Sequence, residues 1–182
     1  MKGIKTEYPT ARSTERFIAV DVETTGLSPM RGDRVIEIGA VLVDSGVAAR
    51  EFHTLVNPGQ RISIHAMRVH GITDEMLIDA PGPEYVFARF RAFIGDSVLL
   101  AHNAEFDMRF LRHEFSRLGM ALNNEHHCTM KMSRRSCPDL RDHRLETVYR
   151  HVAGEEVEAR QTHRALGDAR MVARVWMEMM KR

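Results

Sequence analysis

Acidic side chains interrupt an apolar run in the stretch AVDVETTG, residues 19–26. Phe17 to Val20 are typical of a buried β-strand, yet Asp21 and Glu23 continue the run. Because side chains alternate along a strand, residues two apart lie on one face, so the two carboxylates form a local cluster. Like charges repel, and burying an unpaired carboxylate costs several kcal/mol of folding free energy. We therefore expect a positive group between them.

Two further acids fall on the apolar faces of predicted helices. Asp107 lies three residues after Ala104 and four before Leu111, and Asp168 has the same place in the last helix. Each Asp taken alone could equally cap a helix N-terminus or complement the helix dipole. Four inward-facing acids on three elements instead indicate hard divalent cations, Mg²⁺ or Mn²⁺. The pattern predicts a phosphodiesterase with two such ions, which stabilise the attacking and leaving oxygens of a phosphoryl transfer.

This chemistry needs a group that takes a proton from the attacking water near neutral pH, and histidine suits that role. Among ten histidines, His163 precedes Asp168 by five residues, which would place them about 140° apart on one continuous helix. We therefore expect His163 just before the last helix or in its first turn, beside the acids. A histidine considered alone is more often a surface or capping residue.

The elements that must position these residues alternate between strands and helices. Apolar patterns predict strands over residues 17–23, 34–44, 47–57 and 98–101, and helices over 84–94, 104–118, 145–152 and from Ala165 onward. The turn at residues 44–46 makes the second and third strands a hairpin. Together these elements predict a mixed α/β fold.

The bulk composition is that of one globular domain. We expect residues 17–182 to form it and residues 1–16 to form a flexible tail. The tail lacks the apolar segment of a secretory signal, and no apolar run approaches the roughly 20 residues of a membrane span. These features predict a cytoplasmic protein without a membrane partner.

Cysteine and histidine usage offers one competing metal site. The two cysteines, Cys128 and Cys137, are too few for a disulfide framework and are expected to be reduced. His126, His127 and Cys128 could hold zinc, but no second ligand pair follows at finger spacing. A strand start is the favoured interpretation of this triplet.

Basic residues are concentrated in one part of a chain whose net charge is only +1. The concentration comprises Lys131, Arg134, Arg135, Arg141 and Arg144. It makes a nucleic-acid ligand admissible. On charge alone, a solvated face explains it equally well.

Three short motifs resemble the DEDDh branch of the 3′-to-5′ exonucleases, and most of all the proofreading epsilon subunit of bacterial DNA polymerase III. They are DVETTG (21–26), HNAEFDMRFL (102–111) and HRALGDA (163–169), and residues 56–76 resemble the segment between the first two. The resemblance covers roughly residues 17–180. It implies a ribonuclease H-like fold, a mixed five-stranded sheet with helices on both faces. It also implies that the metal ligands are Asp21, Glu23, Asp107 and Asp168, with His163 as general base.

The resemblance further implies a set of substrate contacts. They are Thr24, Thr25, Leu27, Val69, His70, Asn103 and Phe106. In the family, the backbone at the two threonines holds the terminal 3′-hydroxyl, and Leu27 wedges against the last base. Simpler roles are open to several of them: Leu27 and Val69 could pack, Asn103 could cap a helix, and Phe106 could belong to the core.

The function expected from this resemblance is removal of nucleoside 5′-monophosphates, one at a time, from the 3′ end of single-stranded or frayed DNA. An exoribonuclease of the same fold is the alternative, because recognition of the 2′-hydroxyl depends on local geometry that a sequence does not display. A non-catalytic nucleic-acid-binding module is disfavoured because all four acids and the histidine are present. The chain ends at Arg182, soon after the third motif, so we expect no stable association with a polymerase. The sequence indicates no particular oligomeric state.

Overall fold

The protein is described by a computed structural model for residues 16–154 and 163–181. Its five strands are β1 (Arg16–Thr24), β2 (Val35–Asp44), β3 (Val47–Leu55), β4 (Val98–Ala101) and β5 (His126–Cys128), in the order β3-β2-β1-β4-β5. The first three strands are antiparallel, whereas β4 runs parallel to β1 and β5 parallel to β4. The predicted mixed five-stranded sheet is therefore confirmed. Of the predicted tail, only Arg16 is among the described residues, and it begins β1.

Seven α-helices and a 3₁₀ turn at Pro29–Arg31 are present in the described residues. The helices are α1 (Ile64–His70), α2 (Asp74–Leu77), α3 (Pro83–Ile94), α4 (Ala104–Arg117), α5 (Thr129–Ser136), α6 (Leu145–Ala153) and α7 (Ala165–Met180). The helices α3, α4, α6 and α7 were predicted from periodicity. The helices α1, α2 and α5 were not, because four to eight residues are too few for a periodic pattern to stand out. None of the helices in the described ranges is long and apolar enough to span a membrane.

The alternation of β1 divides the core between two faces of the sheet. Ile18, Val20 and Val22 pack against α3 and α4 on one face. Phe17 and Ala19 point to the other face, where α5, α6 and α7 pack. We call this second side the α7 face. Asp21 and Glu23 continue the series of Phe17 and Ala19, so they project toward α7.

A buried ion pair fixes α4 to the sheet. Arg34 donates through Nε and a terminal guanidinium nitrogen to the two carboxylate oxygens of Glu114, at 2.7 and 2.8 Å. The backbone N–H of Val35 also donates to Glu114, at 3.2 Å. Bidentate geometry and the added N–H bond satisfy charges that would be costly to bury unpaired. The pair thereby sets where α4, the helix carrying Asp107, meets the beginning of β2.

A glycine lets α7 begin directly on the sheet. Gly39 of β2 lies opposite Asp21 in the β1–β2 pairing. A Cβ atom at this position would lie only 2.1 Å from the backbone carbon of Ala165. Any side chain here would push the start of α7 away. The missing side chain thus allows the first turn of α7 to reach the strand position beside Asp21.

Candidate active site

Three carboxylates meet where β1 and α7 come together. One oxygen from each of Asp21, Glu23 and Asp168 lies within 4.8 Å of the other two. Asp21 and Glu23 reach the site from the α7 face of β1, and Asp168 reaches it from the first turn of α7. The alternation along the strand and the periodicity of the helix both predicted these directions.

Asp107 approaches the same site from the opposite side of the sheet. Its Oδ1 accepts the backbone N–H of Val22 at 3.3 Å, and the side chain is almost fully buried. Its charge contributes to raising the pKa of Asp21. It lies beside the group of three oxygens and is not part of it. The acid predicted to face inward from α4 does so, at the end of β1.

The electrostatics of the four acids call for a positive charge. Burial raises the pKa of Asp21 well above its usual range, and repulsion from Asp107 and Glu23 adds to the effect. Burial also raises the pKa of Glu23 to about 8, and those of Asp107 and Asp168 to about 7. Repulsion from neighbouring carboxylates adds to each of these shifts. Such carboxylates retain protons near neutral pH unless a cation joins them.

One oxygen of the cluster also lacks a partner. Oδ1 of Asp168 is buried and accepts no hydrogen bond from any described residue. Its other oxygen, Oδ2, accepts the backbone N–H of His163 at 3.2 Å. A buried unpartnered carboxylate oxygen is costly, whereas oxygen donors grouped this closely suit Mg²⁺ or Mn²⁺. The residues present therefore fit a divalent metal site.

A fifth acid, Glu37, is buried nearby, but neighbouring hydrogen-bond donors already balance its negative charge. It lies opposite Glu23 in the β1–β2 pairing and accepts hydrogen bonds from Arg164 at 2.7 Å, from His53 at 2.7 Å and from the N–H of Ala165 at 3.0 Å. Burial alone would raise its pKa, but these hydrogen bonds outweigh burial and lower it to about 2. Glu37 thus holds the beginning of α7 on β2. Our sequence reasoning missed it, although a glutamate within the apolar run VIEIGAVLV was a usable signal.

His163 lies two residues before α7, as expected, and its side chain is exposed. Its backbone is in the left-handed region, with φ of 59°. The next residue, Arg164, is tied to Glu37, which fixes the chain immediately after the histidine. His163 lines a cleft of about 540 Å³ together with Asp21 and Asp168. The predicted base and two predicted ligands therefore share one cavity.

The loop after β1 is held by its own threonine side chains. Oγ1 of Thr24 donates to the carbonyl of Gly26 at 2.6 Å. Oγ1 of Thr25 accepts from the N–H of Arg34 and from the side chain of Gln60, both at 3.0 Å. Both threonines are buried. The backbone N–H and carbonyl of Thr25 are also bonded, to Arg34 and Ser63, so the hydroxyls and the Thr25 backbone both serve the loop itself.

His70 supports the same loop from below. Its Nδ1 accepts the N–H of Ile72 at 3.0 Å, so the neutral ring carries its proton on Nε2. That nitrogen lies 3.3 Å from the carbonyl oxygen of Thr24, to which it donates. Burial lowers the pKa of His70, which favours the neutral ring. The predicted substrate contact is thus a buried support of the loop in this structure.

Two predicted contacts, Leu27 and Val69, are exposed apolar side chains. Leu27 is 79% exposed and Val69 is 58% exposed. The alternative that they simply pack in the core is therefore wrong. Arg109 donates to the backbone carbonyl of Leu27 at 3.0 Å and thereby ties Leu27 to α4.

The remaining predicted contacts lie at the beginning of α4. Asn103 is exposed, has φ of 69° and occupies the N-cap position without a side-chain capping bond to the described chain. The ring of Phe106 is half-buried and packs against the ring of Phe110, with ring centroids 4.9 Å apart. Phe106 therefore combines the core role with an open edge, whereas the capping role considered for the Asn103 side chain is not observed.

Two histidines that the sequence did not predict lie at the cleft. His102 lines it, and His143 is bound to His102. Nε2 of His102 lies 2.7 Å from the carbonyl oxygen of His143, so it must carry a proton and donate. Burial lowers the pKa of His102, and its other nitrogen lies 2.9 Å from the hydroxyl of Thr129. Nδ1 of His143 lies 2.9 Å from the hydroxyl of Ser133. This network connects the end of β4 to α5 and to the segment before α6.

The zinc alternative finds no support in the geometry. His126 begins β5, and His127 stacks on Trp176 with ring centroids 5.5 Å apart. Within residues 16–154 and 163–181, the side chains grouped closely enough to hold a metal ion are those of Asp21, Glu23 and Asp168. The favoured interpretation of the triplet as a strand start is confirmed.

Comparison with known proteins points to one family. The sequence model of the RNase_T family, described as exonuclease, matches residues 18–176. The DNA polymerase III epsilon subunit of Rickettsia felis is 38% identical over 174 residues, which cover 92% of this chain and 75% of that protein. The PolC-type DNA polymerase III of Bacillus cereus is 38% identical over 168 residues, which cover 92% of this chain. This chain spans only 11% of that polymerase.

A solved structure of exonuclease X, in complex with duplex DNA that has a 5′ overhang, has the same fold. The two chains superpose with a TM-score of 0.73 at 30% identity, and the match covers 91% of each. The predicted ribonuclease H-like α/β fold is thereby confirmed. The resemblance expected from the three sequence motifs is confirmed as well.

Proposed function

Because this chain belongs to the exonuclease family, we propose that it hydrolyses DNA one nucleotide at a time from the 3′ end. The observation that carries the proposal is the convergence of Asp21, Glu23 and Asp168, whose oxygens lie within 4.8 Å of one another. The exposed His163 lines the same cleft as two of these acids. DNA is favoured over RNA because the similar epsilon and PolC-type proteins are named for DNA polymerase III and the exonuclease X structure contains DNA.

The four clustered acids would hold two divalent ions, Mg²⁺ or Mn²⁺. When bound, such ions supply positive charge that stabilises the oxygens of a phosphoryl transfer and lowers the pKa of water. Asp107, which lies beside the three clustered oxygens and is anchored by the N–H of Val22, would complete the ligand set.

The remaining steps belong to side chains of the protein. His163 takes the proton of the attacking water, and its exposed position beside Asp168 leaves the ring open to solvent. The water oxygen bonds to phosphorus as the bond between phosphorus and the 3′-oxygen of the penultimate nucleotide breaks. The leaving 3′-oxygen takes up a proton from solvent, and a nucleoside 5′-monophosphate is released. Leu27 and Val69 would contact the terminal nucleoside, since their apolar side chains are exposed. Glu37 and Arg164 act through position, because they hold the chain that follows His163.

The direct test uses purified protein and a 5′-labelled single-stranded DNA oligonucleotide with Mg²⁺ or Mn²⁺. We expect a ladder of products that shorten by one nucleotide from the 3′ end, and no ladder in EDTA. A matched RNA oligonucleotide should be degraded more slowly, and DNA whose 3′ end is blocked by an inverted nucleotide should resist. Internal cleavage, or no cleavage with either metal, would overturn the proposed function. Equal or faster degradation of RNA would overturn the choice of DNA.

The raised pKa values predict how stability depends on pH without metal. The folded protein retains protons on Glu23, Asp107 and Asp168 up to pH values of about 7 to 8, whereas the unfolded chain releases them near pH 4. Because the folded state binds more protons in this window, the free energy of unfolding falls as the pH rises. We therefore expect the melting temperature in EDTA to decrease from about pH 5 to pH 8.

Metal should reverse this pH effect. Calorimetry across the same pH series with millimolar Mg²⁺ or Mn²⁺ should show a much smaller decrease, because a bound cation favours the ionised carboxylates. Glu37 does not contribute in this window, since its lowered pKa affects stability only at acidic pH. The lowered pKa values of His70, His102, His126 and His127 favour stability as the pH rises, so the difference between the metal-free and metal-bound series tests the cluster. Equal pH dependence in the two series would contradict the description of the cluster.

A further inference from the structure

The cleft that contains Asp21, Asp168 and His163 has a second side that is mostly basic, although Glu146 also lines it. Arg141 and Arg144 lie on it, in the segment that leads into α6. We call these two residues the arginine wall. They were part of the basic run in the sequence for which the proposed reaction has no use. Guanidinium groups that line the same cleft as the carboxylates can bind the backbone phosphates of a nucleic-acid strand.

The two guanidinium groups are available to a ligand. The side chain of Arg141 is 75% exposed, and among the described residues it is paired only with the adjacent Asp142, at 3.4 Å. Arg144 makes no ion pair with any described residue, although its backbone N–H donates to Asp142. By contrast, Arg170 of α7 is paired bidentately with Glu51 at 2.7 Å. Arginine is well suited to phosphate because its planar fork of N–H groups matches phosphate oxygens.

The segment that carries the arginine wall is held in place. His143, between the two arginines, is bound through its carbonyl by His102 at 2.7 Å and through its ring by Ser133 at 2.9 Å. These partners belong to the end of β4 and to α5, so the segment is tied to the sheet that also carries Asp21. A fixed segment loses less conformational freedom when it binds a ligand. The arginine wall is therefore positioned relative to the acid cluster before any ligand arrives.

The position of the wall indicates which phosphates it would contact. Leu27 and Val69, which would receive the terminal nucleoside, do not line this cleft. The cleft instead extends from Asp21 and Asp168 toward α6. We propose that the arginine wall binds phosphodiester groups of the DNA strand on the 5′ side of the bond that is cleaved. This inference rests on the proposed function, because that function defines which end of the strand lies at the acids.

The first test measures binding without hydrolysis. A 5′-fluorescein 12-nucleotide single strand is titrated in EDTA by fluorescence anisotropy at several salt concentrations. Removing two phosphate contacts should reduce the slope of log K against log salt by about 1.4, at about 0.7 per contact for single strands. We expect this reduction, and an affinity loss of about tenfold, for Arg141→Gln combined with Arg144→Gln. Arg170→Gln is the matched control, since Arg170 is also exposed but is paired and lies outside the cleft.

The second test varies substrate length in the presence of metal. A dinucleotide has a single phosphodiester and no phosphate farther along the strand, whereas the 12-nucleotide strand has several. The double variant should raise KM for the long strand several-fold and shift KM for the dinucleotide far less. If the wall instead bound the released monophosphate, inhibition by free nucleoside 5′-monophosphate would weaken in the variant to the same degree, which would overturn the inference.

Folding and function can be separated in these tests. Arg141→Lys combined with Arg144→Lys retains charge and should recover part of the affinity, and melting temperatures show whether each variant folds. Unchanged salt slope and affinity in the folded double variant would refute the arginine wall. Binding is scored without turnover, so a protein that binds DNA through this wall but does not hydrolyse it would refute only the proposed function.

Discussion

Asp21→Asn is expected to lower the exonuclease rate by about 1,000-fold or more and, in EDTA, to stabilise the protein. The rate falls because the amide removes one negative charge from the proposed metal ligands. The ions would lower the activation barrier by several kcal/mol, and each 1.4 kcal/mol is about tenfold in rate. Stability rises because the pKa of Asp21 is already raised by burial and by its acidic neighbours. A neutral amide of the same shape relieves that repulsion. Single-turnover hydrolysis and calorimetry in EDTA at pH 8 measure the two effects.

The opposite signs separate a ligand from a structural residue. An aspartate that only stabilised the fold would lower both activity and melting temperature when replaced. Asp96→Asn is the control, because the Asp96 side chain is fully exposed and does not belong to the cluster. It should change neither property. Addition of Mg²⁺ or Mn²⁺ should raise the melting temperature of the wild type more than that of Asp21→Asn. A variant with normal activity, or one destabilised in EDTA, would exclude Asp21 from the proposed role.

His163→Ala is expected to reduce the rate by about 100-fold or more with the fold retained, the usual scale for a positioned base. The side chain is exposed, and its residue is bound to Asp168 through the backbone N–H, which alanine preserves. Loss of the ring should therefore leave the melting temperature and the stabilisation by metal almost unchanged. Single-turnover rates at saturating metal measure the loss.

Chemical rescue sharpens the assignment of His163. Added imidazole should restore part of the activity of His163→Ala, because the exposed position leaves room for a free base. His113→Ala is the control, since His113 lies on α4 and does not line the cleft. Its rate should match that of the wild type. A wild-type rate for His163→Ala would remove His163 from the role of base.

The local directions of the acidic side chains could be predicted because they depend on short-range periodicity. A strand repeats every two residues, which placed Asp21 and Glu23 on one face. A helix repeats every 3.6 residues, which placed Asp107 and Asp168 inward. The position of His163 before α7 followed from the same geometry. The mixed α/β class followed from the order of elements, the three motifs identified the family, and that resemblance implied the mixed five-stranded sheet.

Other features arise from contacts between distant parts of the chain. Glu37 could not be distinguished from a metal ligand by type or burial, because only tertiary packing brings Arg164 and Ala165 to it across more than a hundred residues. The support that His70 gives to the carbonyl of Thr24 was not predicted either, because it joins residues 46 apart in the chain. The short helix α5 also escaped prediction because its formation depends on neighbours more than on its own eight residues.

The sequence by itself singled out the residues that we propose for phosphodiester hydrolysis, and it predicted which way each acidic side chain points from its own element. Only the tertiary structure decided that these elements converge. Asp107 reaches the site from the opposite face of the sheet, and Asp168 reaches it because Gly39 admits the start of α7. The physical reason is that local periodicity governs direction within an element, whereas the distance between elements depends on the packing of side chains far apart in the chain.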